Sequence, residues 1–246
     1  MDPIQAIIVD DEELARSIVR EYLSDHPEIQ IIAECSNGFE AVKTVTEHKP
    51  DLAFLDVQMP KLNGFEVLEL VETDLAVVFT TAYDQFAVKA FEVHAVDYLL
   101  KPFSRERFEE ALSRAKEKIA HQQIAPARDF LDAVKPSHEK IERILVRVGS
   151  GVVVIPVDKI DYIEAQDDYV AIKAEGKVHL KKQSLADLDS RLDPKRFVRI
   201  HRSYILNVER LARLELYSKD SRMSILKDGT KLQISRTGYE KLKELL

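Results

Sequence analysis

The chain has 246 residues, of which 45% are apolar and 32% charged, a composition typical of a soluble globular protein with one or two domains. No apolar run approaches the roughly 18 residues that span a membrane, and the first residues lack the basic region of a signal peptide. Cys35 is the only cysteine, which excludes an intramolecular disulfide and argues against cysteine-based metal sites. We therefore expect a cytoplasmic protein with no membrane partner.

Charge is distributed unevenly along the chain. Residues 1–140 carry 15 Lys and Arg against 27 Asp and Glu, a net of −12, whereas residues 141–246 carry 21 against 16, a net of +5. An acidic half joined to a basic half suggests two tasks. The acidic half could hold a cation, and the basic half could meet a polyanion, although a net of +5 is also common on domains that bind none.

The first 120 residues alternate between short apolar runs and segments with helical spacing. We predict strands at 4–9, 29–33, 51–55, 75–79 and 96–100, and helices around 14–23, 41–45, 64–71, 85–91 and 108–119. Short apolar strands that alternate with helices are typical of a parallel sheet covered on both faces. The predicted fold of this half is a doubly wound α/β domain with five βα units.

Residues 121–143 contain Pro126 and Pro136 and break this rhythm, which predicts a linker between a domain at 1–120 and a second domain at 144–246. From residue 144 the apolar period becomes two. We predict strands at 144–148, 152–155, 160–163, 169–173, 178–180, 223–226 and 231–234, with helices at 184–192 and 237–246. The second domain is therefore predicted to be mostly β.

Polar side chains follow four of the five strands predicted in the first half. They are Asp10 and Asp11 after the first strand, Asp56 after the third, Thr80 and Thr81 after the fourth, and Lys101 after the fifth. The carboxyl ends of parallel strands meet at one edge, where doubly wound sheets place their sites. Three carboxylates there suit Mg²⁺, and Asp56 beside a metal and a lysine could accept a phosphoryl group. A lone carboxylate at an exposed strand end would need no such explanation.

Four segments carry a resemblance to a known family. IVDDE (8–12), FLDVQMP (54–60), FTTA (79–82) and YLLKPF (98–103) resemble the receiver domain of bacterial response regulators. The resemblance implies that a sensor histidine kinase phosphorylates Asp56. It also implies that Asp10, Asp11 and Asp56 hold Mg²⁺ together with the backbone carbonyl of Gln58.

The same resemblance assigns the residues that respond to the phosphoryl group. Thr81 matches the switch hydroxyl, Tyr98 the switch aromatic, and Lys101 the cation that pairs with phosphoryl oxygens, with Pro102 in the cis form. Thr80 is an alternative to Thr81 for the role of switch hydroxyl. We favour Thr81 because Ala82 follows it, as in the family pattern. Core packing is the alternative role for Tyr98.

The basic half carries a second resemblance. IDYIEA (160–165), YV (169–170), FVRIHRSYILN (197–207) and ISR (234–236) resemble the LytTR DNA-binding domain, so the whole chain resembles a LytR/AlgR-type regulator. The resemblance implies that loops of a β fold enter the major groove of double-stranded DNA, with two protomers on direct repeats. The matching contact residues are Tyr169, Arg202 and Arg236, with His201, Lys181 and Lys182 as contacts to the DNA backbone.

Several alternatives stay open at these positions. Any one arginine could be a solvated surface charge, and His201 could make a structural hydrogen bond instead of touching DNA. The acidic loop at Gln166-Asp167-Asp168 could position Tyr169 or read a cytosine amine.

The expected function is transcription control by a homodimer that forms on phosphorylation or on DNA. The predicted pairing face comprises the fourth helix, fifth strand and fifth helix of the first domain, with Phe91, Val93 and His94 nearby. A protein-interaction module is the second hypothesis. An enzyme is the third, but residues 141–246 show no Ser/His/Asp set, zinc spacing or phosphate loop, so we expect no enzyme.

Overall fold

The structure is a computed structural model that describes residues 3–71, 74–83, 90, 95–122, 140–149, 151–216 and 222–245. The chain divides into two compact units. No helix within these ranges is long and apolar enough to cross a membrane.

The first unit is built on a five-stranded parallel sheet. Its strands are β1 (Ile4–Val9), β2 (Ile29–Cys35), β3 (Leu52–Asp56), β4 (Ala76–Thr81) and β5 (Asp97–Leu100), in the order β2-β1-β3-β4-β5. Its described helices are α1 (Glu13–Leu23), α2 (Gly38–His48), α3 (Gly64–Leu70) and α4 (Arg105–Gln122). The doubly wound α/β prediction is confirmed, because every described pairing in this sheet is parallel.

One side of this sheet packs against α1 and α4 around a group of aromatic rings. Phe54 on β3 stacks on Phe108 of α4 with ring centroids 5.1 Å apart, and Tyr22 of α1 meets Phe108 edge-on at 5.3 Å. Phe54 and Phe108 are fully buried. Burial of each ring stabilises the sheet and helices together by about 2–3 kcal/mol, which holds the carboxyl ends of the strands in place.

Some element boundaries differ from the prediction. Strand β2 continues two residues beyond the predicted 29–33, and α2 begins at Gly38, where the Asn37 side chain caps the helix by accepting the Glu40 N–H at 3.0 Å. A count of apolar positions misses this start because a capping residue is polar. Of the helix predicted at 85–91, the structure describes only Ala90, and Phe91, Val93 and His94 lie outside the described residues.

The second unit is mostly β, as predicted. Its strands are β6 (Arg143–Val148), β7 (Gly151–Pro156), β8 (Ile160–Gln166), β9 (Tyr169–Ala174), β10 (Lys177–Lys181), β11 (Phe197–His201), β12 (Tyr204–Asn207), β13 (Leu211–Leu216), β14 (Arg222–Leu226) and β15 (Lys231–Ile234). The helices are α5 (Leu185–Arg191) and α6 (Arg236–Lys243). The described sheets have the orders β10-β9-β8-β12-β11, β13-β14-β15 and β6-β7.

Strands β11, β12 and β13 were not predicted from the sequence. Phe197 belongs to the core on one face of the five-stranded sheet, whereas Val198 and Ile200 belong to the core on the other face. A strand buried on both faces has no alternation of apolar and polar residues. Arg199 and His201 therefore obscured a strand that the two cores stabilise.

Candidate functional site

Three carboxylates meet at the carboxyl edge of the parallel sheet. Asp10 follows β1 and Asp56 is the last residue of β3, and both are buried, with 2% and 6% of their surface exposed. Asp11 is exposed, and one oxygen from each of the three carboxylates lies within 4.8 Å of the others. This group of hard oxygen donors, with one member open to solvent, fits a divalent cation such as Mg²⁺.

Lys101 reaches this cluster from the end of β5. Its Nζ lies 2.6 Å from Asp10 Oδ2 and 3.3 Å from Asp56 Oδ2. The Lys101 amide also donates to the Thr81 carbonyl at 2.7 Å, which ties its backbone to the end of β4. The Lys101–Pro102 peptide bond is cis, as the sequence resemblance implies.

The surroundings change the acidity of Asp56. Burial raises its pKa to about 6, the nearby Asp10 carboxylate adds to the rise, and the Lys101 ammonium opposes it. Burial alone would lower the pKa of Lys101, but the hydrogen bonds to Asp10 and Asp56 and the negative charges of these two carboxylates together outweigh it and raise that pKa. The lysine is therefore a fixed positive charge beside a carboxyl group whose ionised form is destabilised by its surroundings.

Backbone amides in and after the loop that follows β3 fix the Asp56 side chain and the backbone next to it. The Gln58 amide donates to Asp56 Oδ1 at 3.2 Å, and the Gly64 amide donates to the Val57 carbonyl at 2.9 Å. A Cβ atom on Gly64 would lie 2.4 Å from the Asp56 carbonyl oxygen, closer than real Cβ contacts allow. Glycine at this position lets the start of α3 approach the strand end directly.

The sequence reasoning did not identify Gly64 as part of this site. A signal was present, since Asn63 and Glu66 have the spacing of a capping box and form one, with hydrogen bonds of 2.9 Å in both directions. Arg16 was also missed. Its guanidinium donates to the Asp10 carbonyl at 2.7 Å and fixes the start of the loop after β1.

Of the two predicted switch residues, Thr81 lies at the carboxyl end of β4, whereas Tyr98 is the second residue of β5 and pairs with Phe79. Thr80 is the register partner of Asp56, and Thr81 follows it as the last residue of β4; both threonines are buried. Thr81 Oγ1 accepts the Tyr83 N–H at 3.4 Å. Tyr98 is half-buried, and its hydroxyl donates to the Tyr83 carbonyl, so the loop after β4 connects the two residues.

The predicted DNA-contact residues lie along one edge of the five-stranded sheet of the second unit. Gln166 pairs with Tyr169 across the β8–β9 turn, and Lys181 pairs with Val170 at the end of β10. Tyr204, at the start of β12, pairs with both Glu164 and His201. The register therefore brings the β8–β9 turn, the end of β10 and the β11–β12 turn to the same edge.

The start of α6 is attached to this edge. The Ser235 amide and hydroxyl both donate to the Ile200 carbonyl, at 2.8 and 3.0 Å, and Ser235 Oγ accepts the Gly238 N–H at 3.0 Å as the helix cap. A Cβ atom on Gly238 would lie 2.0 Å from that same Ile200 oxygen. These contacts place Arg236, which is exposed, close to the end of β11.

The side chains along this edge differ in their exposure to solvent and in whether they are already hydrogen-bonded within the unit. Lys182, Arg202 and Arg236 are exposed, and Tyr169 exposes 47% of its surface. Lys181 is half-buried, and its Nζ donates to the Leu145 carbonyl at 2.9 Å, so its ammonium is already bound within the unit.

The backbone conformation of the β8–β9 turn explains why an aspartate occurs there. Asp167 adopts a φ of 50°, in the left-handed region that Asp and Asn tolerate better than most residues. The turn brings Tyr169 directly opposite Gln166. Of the two earlier interpretations, a role in positioning Tyr169 agrees with this geometry.

Comparisons with known proteins match both units. The response regulator receiver domain family matches residues 6–113, and the LytTr DNA-binding domain family matches residues 150–246. The sensory transduction proteins LytT of Bacillus anthracis and Bacillus subtilis (strain 168) are 32% and 34% identical to this chain over 246 residues. Each of these two alignments covers 99% of both chains.

A third relative has a more specific name. The transcriptional regulatory protein BtsR of Escherichia coli (strain K12) is 32% identical over 247 residues, with 99% of each chain covered. These relatives are named sensory transduction or transcriptional regulatory proteins, and their alignments cover 99% of both chains. The chain therefore belongs to the family of two-component response regulators that join a receiver domain to a LytTR-type DNA-binding domain.

Proposed function

We propose that this protein is a transcription regulator that a sensor histidine kinase phosphorylates on Asp56 and that binds double-stranded DNA through its second unit. The observation that carries the proposal is the meeting of Asp10, Asp56 and Lys101 at one edge of the sheet, with Lys101 Nζ within 3.3 Å of both carboxylates. We place this activity in the cytoplasm and expect regulation rather than a metabolic reaction.

Asp56 supplies the carboxylate that attacks the phosphoryl group. Asp10, Asp11, Asp56 and the backbone carbonyl of Gln58 would hold Mg²⁺, which when bound neutralises charge on the phosphoryl oxygens. Asp56 Oδ1 accepts from the Gln58 amide and Oδ2 lies beside Lys101, so the carboxylate is held from two sides. This orientation serves phosphoryl transfer, which depends mainly on positioning and electrostatics.

Thr81, Tyr98 and Lys101 are the proposed response to phosphorylation. Lys101 pairs with phosphoryl oxygens, and Thr81 lies at the end of the neighbouring strand. The loop after β4 accepts from Tyr98 and donates to Thr81. A change at Thr81 therefore reaches Tyr98 through Tyr83 and shifts the balance between two conformations of that loop.

Labelling with a small phosphodonor tests the first half of the proposal. Incubation with acetyl phosphate and Mg²⁺ should place one acid-stable, base-labile phosphoryl group on the wild-type protein. Asp56→Ala should abolish the label, and a chelator should prevent it. Glu21→Gln, which neutralises an exposed carboxylate of α1, serves as the matched control and should label normally. Persistent labelling of the Asp56→Ala variant would overturn the proposed site.

The proposed DNA interface is the basic edge of the five-stranded sheet. It comprises Tyr169, Lys181, Lys182, His201, Arg202 and Arg236. Lysine and arginine contacts to phosphate supply most of the nonspecific affinity, and exposed arginine can read guanine with two hydrogen bonds. Because the Lys181 ammonium is bound to the Leu145 carbonyl, we assign it a smaller share of the phosphate contacts than Lys182.

Selection of genomic fragments tests the second half. The wild-type protein should enrich a defined set of fragments, and Arg202→Ala should lose that enrichment. Lys177→Ala removes the same charge at the far end of β10, where Lys177 pairs with Ala174, and should enrich the same fragments as wild type. No enrichment by the folded wild-type protein would favour the protein-interaction hypothesis instead.

We also propose that two chains pair on phosphorylation or on DNA, and that the receiver domain, linker and DNA-binding domain span residues 1–120, 121–143 and 144–246. Sedimentation of the protein with and without acetyl phosphate tests the pairing. Limited proteolysis tests the boundaries, and cleavage should concentrate within residues 121–143.

A further inference from the structure

The turn between β11 and β12 is held by hydrogen bonds that leave the Arg202 guanidinium unused. The Ser203 amide donates to His201 Nδ1 at 3.2 Å, and the Arg199 guanidinium donates to the Arg202 carbonyl at 3.1 Å. The Ala165 amide donates to the Ser203 carbonyl at 2.9 Å and ties the turn to β8. Arg202 itself is exposed.

The hydrogen bond between His201 and Ser203 determines which ring nitrogen carries the proton in the neutral imidazole. A ring nitrogen that accepts an N–H carries no proton, so the proton of neutral His201 is on Nε2. An acceptor that receives the amide two residues ahead imitates an Asx turn, in which an Asn or Asp side chain does the same. The imidazole thus accepts the same hydrogen bond that an Asn side chain accepts in an Asx turn.

The ring of His201 is also supported from the neighbouring strand. It packs at 5.7 Å, centroid to centroid, against the ring of Tyr204, and the Tyr204 hydroxyl donates to Glu164 at 3.0 Å. His201 is half-buried between these groups and the turn. These contacts fix the ring in the orientation that receives the Ser203 amide.

We propose that His201 is a positioning residue that shapes the β11–β12 turn and thereby presents Arg202 to DNA before the DNA arrives. This inference rests on the proposed DNA-binding function. A turn that is ordered in the free protein loses less conformational entropy on binding, which increases affinity without a new contact. His201 then acts through Arg202, and not as a counterion of a phosphate.

The test compares three substitutions at one position. Asn can accept the Ser203 amide in an Asx turn, Ala cannot, and Gln is one methylene too long for the same turn. His201→Ala and His201→Gln should weaken binding to the fragments recovered in the genomic selection about tenfold or more, whereas His201→Asn should remain within about threefold of wild type. Hydrogen exchange at the Ser203 amide, measured without DNA, should quicken in the Ala and Gln variants and not in the Asn variant.

Two further readouts separate positioning from a direct phosphate contact. The slope of affinity against salt concentration should be unchanged in His201→Ala, whereas loss of a phosphate contact lowers it by about 1. In the Arg202→Ala background, measured at a salt concentration low enough for weak binding to remain, His201→Ala should cause no further loss, because the two residues act as one unit. A reduced salt slope, additive losses, or wild-type affinity in His201→Ala would each overturn the inference.

The two proposals fail in different ways. A folded wild-type protein that retains no genomic fragment would overturn the DNA-binding function, and the assignment of His201 with it. Wild-type binding that all three substitutions leave unchanged would overturn the assignment of His201 alone. Circular dichroism of each variant confirms that the losses are not caused by unfolding, and the Asn variant against the Gln variant decides the matter if His201→Ala does not fold.

Discussion

Single residues in the acidic site are constrained by atoms that approach them very closely. Gly64 is the clearest case, because the space for its Cβ is occupied by the Asp56 carbonyl oxygen and by the Phe79 ring. The backbone of Asp56 is thus in contact with the first residue of α3. Any side chain at position 64 has to move either the helix or the strand end.

Gly64→Ala should therefore damage the site and the fold together. We expect a loss of about 1–3 kcal/mol in the free energy of unfolding of the first unit, as for other overpacked positions, together with much slower labelling by acetyl phosphate. Gly151→Ala is the control, because its added Cβ would meet its nearest atom at an ordinary 3.5 Å. Wild-type stability of Gly64→Ala in urea would show that α3 moves away without cost.

The ionised Asp56 carboxylate destabilises the folded protein. Its pKa of about 6 exceeds the ordinary value of 3.8, first because the group is buried and second because Asp10 is close. The folded protein therefore binds this proton more tightly than the unfolded chain does. Asp56 destabilises the fold increasingly as the pH rises from about 4 through 6, and the full penalty persists above that range.

Asp56→Asn should accordingly stabilise the protein when no metal is bound. In a chelator at pH 8 we expect the free energy of unfolding to rise by about 1–3 kcal/mol, and near pH 4 the difference from wild type should vanish. The chain has no tryptophan, so far-ultraviolet circular dichroism in urea is the suitable measurement. A variant less stable than wild type at pH 8 would contradict the assigned burial penalty.

At the scale of elements, α4 is attached to the start of β5 by an ion pair in which the Asp97 carboxylate is nearly buried and Arg107 is half-buried. Arg107 donates to Asp97 through both of its terminal nitrogens, at 2.5 and 3.0 Å, and also to the Tyr98 carbonyl at 3.1 Å. Burial of Asp97 acts to raise its pKa, but the hydrogen bonds from Arg107 and the Tyr98 amide, together with the positive charges of Arg107 and Arg114, outweigh burial and hold the pKa below 3.8. This pair positions the strand residue that precedes Tyr98.

Arg107→Gln should loosen this attachment. We expect a loss of about 1–2 kcal/mol in the free energy of unfolding at pH 7, because Asp97 would keep fewer charged partners at a site with little solvent. Since the pKa of Asp97 is lowered by folding, its stabilising contribution is present above about pH 4 and is lost as the pH falls below 3.8, so the difference between variant and wild type should shrink in acid.

The control for Arg107→Gln lies two residues earlier on the same helix. Arg105 pairs with Asp25, and both side chains are largely exposed. Arg105→Gln should change the free energy of unfolding much less than Arg107→Gln does, at any pH, because ion pairs between exposed side chains contribute little. Equal losses of unfolding free energy in the two variants would show that burial of Asp97 does not make its ion pair stronger than an exposed one.

At the scale of the whole molecule, the two halves of the chain carry opposite net charge. The first 140 residues have a net charge of −12 and contain the proposed site for a cation and a phosphoryl group, and the remainder has +5 and contains the proposed DNA-binding edge. If phosphorylation favours pairing of two chains, then each pair presents two basic edges. Binding of the second edge becomes intramolecular and adds affinity without a new protein–DNA contact.

Phosphodonor should therefore strengthen binding only where DNA offers two sites. We expect acetyl phosphate with Mg²⁺ to increase affinity about tenfold or more for a duplex with two copies of the selected sequence, with little change for one copy. Fluorescence anisotropy with the two duplexes measures the difference. Asp56→Ala should keep the basal affinity and lose the increase; an equal increase for both duplexes would place the effect within one chain.

Much of this protein follows from local sequence patterns. Apolar runs that end in Asp10, Asp56 and Lys101 predicted the parallel sheet, and the rule that strand ends share an edge predicted that these three residues meet. The alternation from residue 144 predicted a mostly β second unit. These inferences succeed because hydrophobic period and turn chemistry are properties of neighbouring residues.

Other features depended on contacts between residues far apart in the chain. Lys101 and Asp10 are 91 positions apart, and Lys181 and Leu145 are 36, so the strength of the first pair and the restraint of the second followed only from the packed structure. Strand β11 was hidden because cores on both of its faces removed its alternation. The sequence alone determined which side chains reach each edge, while tertiary packing decided their distances, their burial and the partners that hold them.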